Sequence, residues 1–300
     1  MTNRAVTATS ILSGESLAGK RMVITGGAGG IGLAAAKALA AKGAQLVILA
    51  RTTEAAVFSA DRVGHGAQGI GCDLADLAAV ERAASAIMDS KEPIDVIIAN
   101  AGIGNLPRLT VRYGVELQFL VNHLAHFLLV DRLAPSLKVG SGRIVVTSSS
   151  ASIGQAPRRG IEFENLSGAK GYRASTFYGQ SKLANALFAR SLAKKLAVRG
   201  ITANSLHPGA VARTGLNKSL GFPLSAVLRI VSPFMKTPEE GAATLALLAG
   251  SGRVTGQSGG YWVDGKVARG SPLLTDDALA DRLWHTSKHI LAREGFATFL

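Results

Sequence analysis

From residue 20 onward, short runs of branched aliphatic residues alternate with longer alanine- and leucine-rich stretches, and this rhythm limits the possible folds more than any other feature. KRMVITG reads as a buried strand, IGLAAAKALAAKG as a helix closed by glycine, and AQLVILA as the next strand. A helix at LADLAAVERAASAIMDS and a strand at IDVIIANAG follow. The apolar stretch VELQFLVNHLAHFLLVDRLAPSL predicts one long helix leading to the strand GRIVVTSSS. After it come the helix FYGQSKLANALFARSLAKKLAVRG, the strand ITANSLHPG, the helix PEEGAATLALLAG and a last strand near GGYWVDG. Strands separated by helices of these lengths pair in parallel through right-handed crossovers, which cover both faces of the sheet. The tail PLLTDDALADRLWHTSKHILAREG predicts a terminal helix with Thr275 as its N-cap and acids in its first turn.

Hydrophobic residues make up 47% of the 300-residue chain and charged residues 18%, enough for a packed core and too few charges for wholesale disorder. With no repeat, linker or low-complexity boundary, residues 19–300 read as a single domain behind an N-terminal arm, residues 1–18. That arm lacks the apolar segment of a secretory signal and reads as loose, with a transit peptide as the alternative. The longest apolar runs, such as VIIA and ATLALLA, are far shorter than the roughly 18 residues of a membrane span, so no stable membrane anchor is expected. One cysteine, Cys72, excludes an internal disulfide and suits a reducing, cytoplasmic setting. The formal charge of +13 raises the question of nucleic acid, but Lys and Arg are scattered, with only short clusters at Arg158-Arg159 and Lys194-Lys195. No aromatic residues interleave with a basic stripe, so no nucleic-acid partner is expected. His123 with His126, and His285 with His289, have helical spacings; lacking carboxylates or cysteines to complete a set, they read as surface or interhelical residues, and no metal is expected.

TGGAGGIG, residues 25–32, joins the first strand to the first long helix. Glycine permits a tight turn there and lets a pyrophosphate approach the free N–H groups of a helix N-terminus. Thr25, Gly26, Ala28, Gly29, Gly30, Ile31 and Gly32 are the candidate residues of this dinucleotide turn. At the end of the second strand an acid would bond a free ribose 2′-hydroxyl, whereas an arginine pairs with a 2′-phosphate. LVILART has no acid before Glu54, so Arg51, with Thr52 beside it, favours NADP (NADPH) over NAD. The spacing TGxxxGxG resembles the short-chain dehydrogenase/reductase family. The resemblance implies a Rossmann-type doubly wound α/β fold with a parallel sheet of about seven strands. It also places Asp73 and Leu74, in GCDL, at the adenine, and Asn100, Ala101 and Gly102 in a turn that lines the cofactor.

In FYGQSKLANALF, Tyr178 and Lys182 stand four residues apart, close to one helical turn, and so point the same way. Alone, the pair is as compatible with an ordinary amphipathic helix as with a proton-transfer site. Its surroundings decide the matter: a strand ending in TSSS precedes it and a strand ending in HPG follows. That order resembles the family's active-site serine, YxxxK pair and PG loop. The resemblance makes Tyr178 the general acid/base; Lys182, together with the positive nicotinamide of the oxidised cofactor, would lower its pKa from about 10 and would bond the nicotinamide ribose. The serine pattern aligns Ser149 as holder of the substrate oxygen, with Ser148 and Ser150 as alternatives one residue away. Asn122, in FLVNHLAHF, matches the family asparagine that supports a water-linked proton path to the lysine. Pro208 and Gly209 fall in the PG loop, His207 shapes it, and Thr214 stands one residue late for the contact with the nicotinamide carboxamide.

IEFENLSGAKGYRASTFYGQSKLAN and GGYWVDGKVARGSPLLTDDALADRLW resemble the branch that includes retinol dehydrogenases and the WW-domain oxidoreductases. Residues 150–177 form an insertion that could cover the usual dimer face, which leaves monomer or homodimer open. GLNKSLGFPLSAVLRIVSPFMK, within residues 213–237, reads as an apolar lid over the substrate, with a short membrane-surface helix as the competing reading. Together these features imply NADPH-dependent reduction of a ketone or aldehyde on a lipophilic small molecule. The alternatives are an NAD-dependent alcohol dehydrogenase and a cofactor-binding sensor or scaffold without turnover. The retained Tyr178 and Lys182 argue against the sensor.

Overall fold

The computed structural model describes residues 5–211 and 235–300. Helix α1 (Ala8–Ile11) precedes β1 (Arg21–Thr25), α2 (Gly30–Ala40), β2 (Gln45–Ala50), α3 (Thr53–Val63), β3 (Gln68–Gly71), α4 (Leu77–Met88) and β4 (Val96–Ala99). A small hairpin, β5 (Val111–Arg112) and β6 (Val115–Glu116), runs into α5 (Leu117–Phe119) and α6 (Ala125–Leu133). Then come β7 (Arg143–Thr147), α7 (Ala151–Gly154), α8 (Ala174–Lys195) and β8 (Thr202–His207). The described chain ends with α9 (Pro238–Gly241), α10 (Ala243–Gly250), β9 (Tyr261–Val263), β10 (Lys266–Val267) and α11 (Asp277–Arg293).

The main sheet has eight strands in the order β3-β2-β1-β4-β7-β8-β9-β10, parallel throughout except for the closing β9–β10 pair. The strand beyond the expected seven is that last edge strand, turned back at Asp264-Gly265, both with positive φ. Continuous apolar runs suit the central strands because both faces are covered: all five residues of β1 are buried. One core layer joins the sheet to α4, α6 and α8, and the other joins it to α1, α2 and α10. The chain reverses direction across the sheet between β1 and β4, which opens a crevice at their C-terminal ends.

Four expectations need correcting. The N-terminal segment, read as loose, is docked: Ala8, Leu12 and Leu17 are buried over α10, a helix buried on every side that needs this cover. Its Glu15 accepts from Ser251 Oγ at 2.6 Å and from the Gly252 N–H at 3.0 Å. The long helix expected from Val115 is composite: the β6 strand, α5, a π-turn at Leu120–Leu124, α6, and a 3₁₀ turn at Ala134–Ser136. Thr275 ends a 3₁₀ turn, and the cap of α11 is Asp276, whose carboxylate accepts from the Leu279 N–H at 2.9 Å. Helix α3 and strand β3 are additional elements; QGIG carries no apolar run, and a Cβ at Gly69 would collide with the backbone of Ala56 on α3.

Candidate active site

The turn after β1 places backbone where side chains would not fit. Gly26 has φ +69°, and a Cβ there would stand 2.8 Å from Ala101 Cα. A Cβ at Gly32 would stand 2.6 Å from Asn100 Nδ2 and closer still to the Gly26 carbonyl oxygen. Gly29 differs: a Cβ there would meet nothing within 4 Å. It is also the N-cap of α2 without any side-chain cap, so the first N–H groups of α2 face open space that an anion can enter. Gly30 has φ +52°, and Ile31 packs toward Gly241.

From this turn a cleft of about 420 Å³ runs along the C-terminal ends of β2, β3 and β4. Thr25, Gly26, Ala28, Arg51, Asp73, Leu74, Ala101 and Gly102 line it. Arg51 is exposed, while the Thr52 hydroxyl is engaged in capping α3 through the Ala55 N–H at 3.2 Å. Asp73 Oδ1 accepts the Ala75 N–H at 3.0 Å. Asn100 lies beneath the wall, its amide donating to the Thr25 carbonyl at 3.1 Å and accepting from Thr147 Oγ1 at 3.3 Å. Arg112, on the β5–β6 hairpin, also lines the cleft; nothing in its local sequence marks it, because only the fold brings the hairpin there. Cys72 is buried in the same wall, and burial pushes its thiol up to about 12.

At the far end of the cleft stand the residues of α8. Lys182 Nζ donates to the Thr147 carbonyl at 3.1 Å and lies 5.9 Å from the Tyr178 ring centroid. Asn185 Nδ2 donates to the same carbonyl at 2.9 Å. A Cβ at Gly102 would stand 3.1 Å from both Lys182 Nζ and Asn122 Oδ1, so the cleft wall is packed directly against both groups. Asn122 sits on the π-turn and clamps Ile103: Oδ1 accepts the Ile103 N–H at 2.8 Å and Nδ2 donates to the Ile103 carbonyl at 2.9 Å. Nδ2 also donates to Ser181 Oγ at 2.9 Å.

The three serines after β7 have separate surroundings. Ser148 is buried and donates to the Lys182 carbonyl at 2.7 Å, while Ser150 is exposed. Ser149 is the polar neighbour of the Tyr178 phenol. Its carbonyl accepts from Tyr261 Oη at 3.1 Å and Ser152 Oγ at 2.6 Å, which fixes the peptide. Gly179 allows α7 to lie against α8, since a Cβ would collide with the backbone of Gln155 and Ala156. In the segment 150–177, Tyr172 Oη accepts from Gln118 Nε2 of α5 at 3.3 Å and donates to the Leu106 carbonyl in the loop after β4 at 2.7 Å.

Burial raises the Tyr178 phenol above its ordinary value, and Ser149 pulls the other way. In the chain without cofactor, taking the phenolate out of water is the larger of these two effects. Burial brings Lys182 down to about 8. Of the surface and interhelical placements expected, His123 takes the interhelical one; His123 and His126 are both fully buried, held by burial at about 3 and about 4. His123 bridges to Ser287 Oγ on α11 at 2.9 Å; His126 lies between Thr25 and Asn122. His285 and His289 are exposed. His207, half-buried at the end of β8, is lowered by burial and by Lys236. Gly209, with φ +89°, lets the loop pass Lys236, and Pro208 is half-buried beside it. Thr214 and nearly all of the lid segment lie outside the described residues.

Among the described residues, no helix is long and apolar enough to cross a membrane. A family model described as short chain dehydrogenase matches residues 20–222. Human retinol dehydrogenase 14 is 38% identical over 293 residues, covering 90% of this chain and 85% of its own. A short chain dehydrogenase from Burkholderia cenocepacia J2315, solved in complex with NADP, superposes with a TM-score of 0.66 at 30% identity, over 83% of this chain and 98% of that one. A 3-ketoacyl-(acyl-carrier-protein) reductase from Brucella melitensis, complexed with NADH, gives the same TM-score, 0.66, at 25% identity over 83% and 98%.

Proposed function

The chain belongs to the short-chain dehydrogenase family, whose members bind nicotinamide cofactors, and on that premise we propose that it is an NADP(H)-dependent carbonyl reductase of lipophilic ketones or aldehydes. The observation that carries this reading is the position of Gly102, whose Cβ would stand 3.1 Å from both Lys182 Nζ and Asn122 Oδ1. One wall thus joins the dinucleotide cleft to the proton-transfer residues. The uncapped α2 N-terminus at Gly29 and Gly30 suits a pyrophosphate, and the cleft suits an adenosine between Asp73, Leu74 and Ala101. Arg51, exposed at the cleft mouth, suits a 2′-phosphate, with Arg112 as a second cation nearby. Bound there, the cofactor supplies or accepts the hydride.

The chain's own residues manage the proton. Tyr178, kept as a neutral phenol by burial, gives its proton to the carbonyl oxygen that becomes the alcohol. The Ser149 hydroxyl donates to that same oxygen as negative charge develops on it. The resulting phenolate is stabilised by the Lys182 ammonium and reprotonated through the path that Asn122 supports. In the reverse direction the same tyrosine removes the alcohol proton. Leu74, Ile103, Leu117 and Val121 in the cleft lining give the surroundings an apolar character. The name of human retinol dehydrogenase 14 points toward an apolar alcohol or aldehyde as well.

The test is NADPH consumption with a panel of apolar ketones and aldehydes, run in parallel with NADH. Turnover favouring NADPH is expected. Equal use of NADH would move the assignment to an NAD-dependent alcohol dehydrogenase, and cofactor binding without any turnover would favour a sensor.

A further inference from the structure

His126, fully buried on α6, has a different partner at each ring nitrogen. Nδ1 lies 2.9 Å from the Asn122 carbonyl oxygen, and Nε2 lies 2.8 Å from Thr25 Oγ1. A carbonyl only accepts, so Nδ1 carries a proton. The Thr25 oxygen already accepts the N–H groups of Asn100 at 2.9 Å and Ala101 at 3.0 Å. Its hydroxyl proton then has two destinations, Nε2 at 2.8 Å or the Ile98 carbonyl at 3.5 Å, and the shorter contact is the hydrogen bond. Nε2 is therefore the acceptor and the ring is neutral. An imidazolium would point a second N–H at an oxygen whose lone pairs are taken. Burial, and beyond it the charge of Lys182, disfavour that form.

These two bonds close a mechanical circuit around the loop 100–103. Thr25 pins its first two N–H groups, and Asn122 pins its end through both polar atoms of Ile103. Gly102 lies between the two clamps, facing Lys182. We propose that His126, as the neutral Nδ1–H tautomer, is a positioning residue that ties the Thr25 clamp to the Asn122 clamp and so sets the cofactor turn against Lys182. Thr25 and His126 are 101 residues apart, so the circuit exists only in the folded sheet. The kinetic consequences rest on the function proposed above; the tautomer does not.

Two measurements test this separately. In histidine-¹⁵N-labelled protein, the His126 ring is expected to show a protonated Nδ1 and a bare Nε2, unchanged through the range near 6.5 (about the pKa of free histidine). A protonated Nε2, or titration near that value, would overturn the assignment. His126→Gln can keep an acceptor for Thr25 but loses the donor to Asn122, whereas His126→Asn keeps the donor and loses the acceptor. Losing one buried hydrogen bond weakens the linked function by about tenfold. His126→Asn is expected to raise the NADPH Kd by about that factor, while His126→Gln leaves the Kd near wild type, lowers kcat and shifts its pH profile. If both variants lose only thermal stability and keep wild-type Kd, kcat and pH profile, His126 is merely structural and the proposal fails. If the wild type turns over no carbonyl, the proposed function fails, while the tautomer and the Kd contrast still decide this inference.

Discussion

Gly29 and Gly32 lie in one turn yet face opposite consequences from the same added methyl group. At Gly29 a Cβ would meet nothing within 4 Å. Its φ of −169° is extended backbone that any residue adopts. Gly29→Ala is therefore expected to fold normally, giving up about 0.5 kcal/mol as a poorer N-cap, or about 1–2 °C in Tm. If a pyrophosphate descends onto the uncapped N–H groups of α2, however, the methyl stands in its path. Holding the ligand off by about 1 Å costs on the order of 100-fold in NADPH affinity, or about 2.7 kcal/mol. At Gly32 the obstacle is internal: the Cβ would stand 2.6 Å from Asn100 Nδ2 and nearer to the Gly26 oxygen. Relief requires a shift of about 1 Å to reach the roughly 3.3 Å of ordinary carbon–oxygen contact. It also disturbs the 3.1 Å bond from Asn100 to the Thr25 carbonyl. Such overpacking costs about 1–3 kcal/mol, so Gly32→Ala is expected to lose both thermal stability and cofactor binding. NADPH fluorescence titration and thermal melts separate the two cases. Wild-type NADPH affinity in Gly29→Ala would refute the reasoning, because the open space at Gly29 would then not be the phosphate's approach.

Further expectations concern charge, the serine triplet and pH. Arg51→Ala is expected to weaken NADPH by about tenfold and leave NADH near its wild-type affinity; equal effects on the two cofactors would remove the 2′-phosphate contact. Ser149→Ala is expected to lower kcat by about 100-fold with little change in Tm, in line with the loss of one donor to a developing oxyanion. Ser148→Ala should do the reverse, because its hydroxyl serves the Lys182 carbonyl; kinetic parameters and melts of both variants check the assignment. His123 and His126 hold folded-state values of about 3 and about 4, well below the roughly 6.5 of unfolded chain. Between those values the unfolded state binds more protons, so stability rises with pH and is lost on acidification below about 6.5, by a few kcal/mol per group. Denaturation midpoints measured across that window should fall steadily toward acid; a flat profile would contradict the burial of two neutral imidazoles.

The local chemistry of this chain could be read from spacing, and what depends on distant partners could not. TGGAGGIG between a strand and a helix, and Tyr178 one turn before Lys182, carry their geometry within a few residues. The alternation of apolar runs likewise yields a parallel doubly wound sheet, because covered strands need no polar face. Strand β3 escaped notice because its glycines serve close packing against α3 rather than burial of side chains. Leu12 and Leu17 show no helical or strand period, and only the all-round burial of α10 gives them a place to dock. The π-turn at Asn122 leaves no mark in an otherwise regular apolar helix pattern. Burial of the Tyr178 phenol was hidden for a similar reason: Lys182 is visible in sequence, whereas that burial follows from packing. His126 stands one turn from Asn122, a spacing that could have linked them, yet its partner Thr25 comes from the other end of the cleft.

The central claim is that Tyr178 moves the proton that accompanies hydride transfer. Its most direct test is the single-turnover rate of ketone reduction by NADPH in wild type and Tyr178→Phe, with NADPH Kd measured on both. Tyr178→Phe is expected to keep its Kd within about twofold while the chemical step slows by about 10²–10⁴-fold, the usual contribution of a positioned general acid. A Tyr178→Phe protein that reduces the ketone at the wild-type rate would contradict it.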